Sequence, residues 1–116
     1  MLEPSNLALW KLGHLLTPTL PALPSILGEY NQNQHEKNGR EWMHHVFDQS
    51  PFTALANVCG TPAMSVPLGF SEAHRLPVGL QFFAGFNQER LLLKLAGQLE
   101  RALPWDMRKP DVWAGK

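Results

Sequence analysis

The chain has little cysteine, no net charge and no long apolar run, and each lack excludes something. Cys59 is the only cysteine, so an internal disulfide and a zinc site built on several thiolates are both impossible. Ten Lys and Arg balance ten Asp and Glu, and apart from the adjacent Arg108 and Lys109 the cations are scattered singly. No field exists to hold a phosphate backbone, so no nucleic-acid partner is expected, and no acidic membrane surface. The richest early apolar stretch, Leu7 to Leu16, is broken by Lys11 and His14; this suits neither a signal peptide nor a membrane span. No GxxxxGK[ST] or GxGxxG phosphate loop and no GxSxG nucleophile elbow occurs. No cofactor and no metal are expected, and a reducing, cytoplasmic setting fits.

What is present is enough to fold. Leu, Ile, Val and Phe supply 31 of the 116 residues, above the level typical of disordered chains. Residues 1–13 read as a short helical or irregular lead-in. Residues 14–20 (HLLTPTL) predict a buried strand that Pro18, Pro21 and Pro24 soon force out of any ladder. Residues 25–35 are polar and turn-rich. Residues 36–48 place Trp42, Met43, Val46 and Phe47 at helical spacing. A second helix is expected with Ser50 as N-cap and Pro51 in its first turn, stopping at Gly60. Strands are expected at 63–67 and 78–84, joined by a connection carrying Gly69, Ser71, Glu72, His74 and Pro77. Their nearly continuous apolarity predicts cover on both faces, and Gly79 allows a neighbouring backbone to come close. The strongest helix signal is 88–102, where Leu92, Leu95, Ala96, Leu99 and Leu103 make one stripe. Asn87 is its expected N-cap, Phe86 its expected staple onto Leu91, and Pro104 its stop. Trp105 and Trp113 are expected anchors for the tail. Interspersed helices and strands imply an α/β layer fold, and three short strands are few for a complete sheet.

The candidate chemistry is sparse. His44 and His45 are adjacent, so on a helix they diverge by about 100° and cannot chelate one metal. Glu41 and His45 can share a face as a surface pair. Cys59 reads as a small buried hydrophobe, with a nucleophile served by His44 or His45 as the rival. Ser65 reads as a strand serine hydrogen-bonded inside a sheet.

One pattern reaches further. Residues 50–69 carry Phe52, Thr53, Asn57, Gly60, Pro62, Ser65, Pro67 and Gly69. Leu76, Pro77, Gly79 and Gln81 follow, then Glu89, Leu91, Leu92, Leu95, Ala96, Leu99 and Glu100. This spacing resembles the C-terminal part of the amidase signature family, whose members hydrolyse amide bonds. LLTPTLPALPSILGE (15–29) is similar to the strand and proline-rich loop found there. The resemblance implies the C-terminal part of the amidase-signature mixed sheet flanked by helices, incomplete as a stand-alone domain. Residues 1–116 are then a single region, a fragment of an amidase-like domain.

The resemblance also implies what is missing. The family's serine nucleophile, its second serine in a cis peptide and its lysine base lie upstream of the matched part. Here none of the five serines follows a glycine and no two are adjacent. No catalytic residue can therefore be carried over, and the isolated chain is expected to be inactive. The implied substrate-side wall consists of Thr17, Thr19, Ser50 and Phe52, with capping or core packing as the plainer role for each. The implied partner is the remainder of an amidase chain, and an amide substrate would bind only in the complete enzyme. The alternative is a non-catalytic binding or assembly module that uses an exposed apolar sheet face, through self-association or another chain.

Overall fold

The computed structural model describes residues 15–105, 108–110 and 112. The expected lead-in, His14 and the Trp113 anchor lie outside these residues. Strand β1 is Leu15–Pro18. Pro18 closes it, although the Thr19 N–H still donates to the Gly79 carbonyl at 3.0 Å. The proline-rich arm 20–24 then leaves the sheet, and turns fill residues 27–33 before a short 3-10 segment, Gln34–Glu36.

Helix α1 is Gly39–Gln49, three residues later than expected at its start. A reciprocal cap sets the boundary. Asn38 Oδ1 accepts from the Glu41 N–H, and Glu41 Oε2 accepts from the Asn38 N–H, each at 3.0 Å. This corrects the expected Glu41–His45 pair, because Glu41 is turned to the helix N-terminus. His45 Nε2 instead donates to the Tyr30 carbonyl at 3.0 Å. Its ring centroid lies 4.8 Å from Tyr30 and 5.6 Å from Trp42.

Helix α2 is Thr53–Cys59, and Ser50 is not its N-cap. Because α1 runs on to Gln49, Ser50 closes α1 instead: its N–H bonds the Phe47 carbonyl and its Oγ donates to the Val46 carbonyl at 3.3 Å. Thr53 Oγ1 donates to the Ser50 carbonyl, tying the two helices at their junction. Gly60 ends α2 as expected, at φ 65° in the left-handed region that favours glycine. Cys59 is half-buried rather than buried.

Strands β2 (Ala63–Ser71) and β3 (Leu76–Phe83) form an antiparallel hairpin. Most of the expected connection is therefore strand, and only residues 72–75 turn the chain. Pro67 is tolerated inside β2 because the register shifts between Val66 and Gly69, a bulge that spares it a ladder bond. Gly69 is required by close approach, since a Cβ there would lie 2.9 Å from Val78 Cβ. The sheet order is β1-β3-β2, antiparallel throughout. The two-sided cover expected for these strands is incomplete: Val66 and Phe83 are buried, but Val78 and the β1 residues Leu15 and Leu16 are exposed.

Helix α3 is Glu89–Ala102 and packs on β2. Its N-cap is Gln88, not Asn87, which instead takes the left-handed conformation at φ 59° to turn the chain. The Phe86 ring lies over Gly60, 3.6 Å from the position of a Cβ there. Leu92 is buried while its neighbour Leu93 is 72% exposed, so the stripe faces inward as its spacing requires, except that Leu103, expected to belong to it, is the C-cap and is exposed. Trp105 is half-buried, and the tail returns to the sheet through Arg108. The Arg108 guanidinium stands 5.6 Å from the Phe70 ring centroid, with Nη1 within 3.4–3.5 Å of the Pro67 and Gly69 carbonyls that the bulge turns outward.

The core is small. Among the described residues, Val66, Phe83, Ala84 and Leu92 are the buried apolar side chains, against fourteen large apolar side chains that are exposed. Isolated exposed apolar residues are ordinary; exposed ones that far outnumber the buried ones mark a sheet and helices with incomplete cover among the described residues. No described helix is long and apolar enough to cross a membrane.

Candidate functional site

Polar side chains gather on one face of the sheet. Thr17 and Ser65 flank Gln81 as its Cα partners on β1 and β2, and opposed residues of a pleated sheet project to the same side. Thr19, two residues after Thr17, shares that side. Its Oγ1 lies 2.6 Å from Ser65 Oγ, a hydrogen bond that reaches from β1 to β2 over the intervening strand. Gly79 makes this reach possible: a Cβ there would lie 2.7 Å from Thr19 Oγ1. Ser65 is thus a hydrogen-bonded strand serine, as its sequence context predicted.

The row is polar but not fully satisfied. Gln81 is 5% exposed, and its Oε1 has no hydrogen-bond partner; neither has Thr17 Oγ1. A buried unpaired polar group costs about 1–3 kcal/mol, so two of them on adjacent strands mark this face as a place where something besides packing is served.

Beside the row lies a cavity of about 350 Å³ between the arm Pro18–Pro24 and residues 77–79 of β3. Thr19 belongs to both the row and the cavity wall. Its lining is almost wholly apolar, which suits an uncharged chain of methylenes more than a charged group.

The other expected wall residues are placed differently. Ser50 and Phe52 sit at the α1–α2 junction, where Ser50 terminates α1 and the half-buried Phe52 precedes α2. A second cavity, of about 130 Å³, brings Asp48 and Gln49 at the end of α1 against residues 20–25 of the arm. The junction therefore borders the arm through the residues just before Ser50. The structure thus joins Thr17 with Thr19 and leaves Ser50 and Phe52 on a separate element. Sequence reasoning missed Gln81 as a member of the row. The available signal was a lone polar residue in the apolar run VGLQFFA.

The remaining reactive groups do not converge. Cys59 ends α2, His45 is engaged with Tyr30, and His74 Nδ1 lies 3.1 Å from Ser71 Oγ at the hairpin turn. No group of three or more His, Cys, Asp or Glu placed to hold a metal occurs among the described residues.

Comparison with known proteins gives a consistent outcome. The Amidase family profile matches residues 5–93. The chain is 48% identical over 61 residues to the 6-aminohexanoate-cyclic-dimer hydrolase of Paenarthrobacter ureafaciens, covering 53% of this chain and 12% of that protein. It is 34% identical over 96 residues to a glutamyl-tRNA(Gln) amidotransferase subunit of Syntrophus aciditrophicus (strain SB), covering 83% of this chain and 18% of that protein. A solved structure of a 6-aminohexanoate cyclic dimer hydrolase superposes with a TM-score of 0.74 at 34% identity, over 84% of this chain and 21% of that one. The chain thus spans about a fifth or less of the length of these relatives.

Proposed function

This chain belongs to the amidase family, and from that premise we propose that it forms the C-terminal scaffold of an amide-bond hydrolase whose reactive residues lie in another part of the enzyme. In the complete enzyme a serine would add to the amide carbonyl, the amine would leave with a proton, and water would release the acid from the acyl-enzyme. These residues would contribute the three-stranded hairpin sheet, the helix that covers β2, and a stretch of the substrate-side wall through Thr17 and Thr19, with Ser50 and Phe52 bordering it. The observation that carries this reading is the polar row beside an apolar cavity: the face holds hydrogen-bonding groups and a surface for an uncharged substrate, yet no nucleophile with a base. The names of the relatives favour a carboxamide substrate with an aliphatic body. A cytoplasmic setting and one continuous region from 1 to 116 belong to the same reading, supported by the lone cysteine and by the spread of the matching motifs.

The test is a graft. This chain replaces the matching fifth of the 6-aminohexanoate cyclic dimer hydrolase, and hydrolysis of an aryl amide is followed. The graft is expected to turn over while the 116-residue chain alone does not. An inactive but folded graft, or turnover by the isolated chain that vanishes on Cys59→Ala or Ser65→Ala, would sink the proposal.

The exposed Leu15 and Leu16 of β1 favour a second reading, in which the open side of the sheet assembles with another copy. Sedimentation at micromolar concentration separates the two, since self-assembly requires a discrete oligomer with a cooperative melt.

A further inference from the structure

The hairpin has an open side. Among the described residues β2 pairs with β3 on one side and with no strand on the other. Such an edge presents a row of N–H and C=O groups to which a further strand can add. Two features spoil the donors of that row: Pro67 has no N–H, and the register shift between Val66 and Gly69 breaks the spacing. Neither removes an acceptor, and the carbonyls of Pro67 and Gly69 still face outward. Arg108 meets both of them. Its Nη1 lies 3.4 Å from the Pro67 oxygen and 3.5 Å from the Gly69 oxygen, across 41 and 39 residues of chain. Its guanidinium stands 5.6 Å from the ring centroid of Phe70, the next residue of the strand, where a planar cation is attracted by the aromatic face. Three contacts thus hold one side chain over the point where the edge is still open to an incoming donor.

We propose that Arg108 is an edge guard: it occupies the outward carbonyls of the bulge and so prevents the β2 edge of a second copy from pairing with this one. Two β2 edges approaching about a two-fold axis would bring two Arg108 side chains to the same place, so the guard repels as well as blocks. The inference is independent of the amidase reading. It concerns the β2 edge, not the side of β1 that carries Leu15 and Leu16.

The test uses the 116-residue chain itself, with sedimentation over a range of concentrations and amide exchange read together. Arg108→Gln is expected to associate about tenfold more tightly than the parent chain, the effect of losing one hydrogen bond from a charged donor. Removing this cation moves the formal net charge away from zero, which by itself disfavours association, so a rise cannot come from net charge. In the associated state the Gly69 amide, which shares the outward side with its carbonyl, is expected to exchange more slowly. Arg108→Lys keeps the charge without the planar fork and is expected to give a smaller rise. Phe70→Leu removes the ring beneath the guanidinium and decides the matter by the same reading if Arg108→Gln does not fold. A folded Arg108→Gln chain that associates no more tightly than the parent overturns the proposal. Tighter association that protects the Leu16 amide and leaves Gly69 unprotected assigns the change to the β1 edge and overturns it equally.

Discussion

The two halves of the described chain differ in kind. From Thr61 to Ala102 the hairpin and α3 enclose a core of their own, with Val66, Phe83, Ala84 and Leu92 buried. From Leu15 to Gly60 there are capped helices and turns, but α1 and α2 contain no buried residue. Met43 and Phe47 on α1, and Leu55 and Val58 on α2, repeat at helical spacing and remain exposed. The difference separates two sources of helix formation. In α1 local signals suffice to define the element: a reciprocal N-cap, a clean C-terminus and an aromatic cluster of Tyr30, Trp42 and His45. In α3 an inward stripe does the work by packing on β2. Most helical stability comes from tertiary burial, so the first half is the part whose apolar side chains lack cover among the described residues.

That contrast can be broken by substitution. The largest effect is expected at Phe83, 1% exposed: Phe83→Ala should cost about 3–5 kcal/mol in urea unfolding, while Phe47→Ala, half-exposed on α1, should cost under about 0.5 kcal/mol in the same chain. Equal losses would mean that the halves share one core. Leu92→Ala should cost about 2–5 kcal/mol and Leu93→Ala, on the other side of α3, close to nothing, with thermal melting as the readout. Gly79→Ala should cost about 1–3 kcal/mol by driving a methyl into Thr19, and the loss should shrink in a Thr19→Gly background. An additive double mutant would show that the crossing of Thr19 over Gly79 is not the cause. A modest loss is expected at the cap of α1: Asn38→Ala should cost about 1 kcal/mol, seen as faster amide exchange in the first turn of α1 and not in α3.

Particular residues show how far the sequence could be read. Gly60 as a left-handed terminator and the Leu92–Leu99 stripe were legible, because each is a local or periodic requirement; Ser65 is hydrogen-bonded but exposed, and Gly79 is closely approached by the Thr19 side chain rather than by backbone. The extent of α1 was not. Ser50 is a good N-cap in isolation, yet α1 reached it first and used it as a terminator. The hairpin was longer than its apolar runs because pairing, not hydropathy, carries residues 68–71 and 76–77. Asn87 lost the capping position to Gln88 because the turn into α3 required its left-handed backbone. At the candidate site, Thr17 and Thr19 were named on resemblance, but nothing local indicated that Gln81 stands between Thr17 and Ser65.

By itself the sequence indicated the kind of protein this is: an α/β chain whose motifs resemble the amidase family. The fold class needs only periodicity and short-range rules, and the family rests on the resemblance of the motifs. Tertiary structure alone decided which side chains share a face, which cap serves which helix, and which acceptors are buried without a donor. Register and burial join residues far apart in the chain, here Thr17, Ser65 and Gln81, and no local preference encodes a distance between strands.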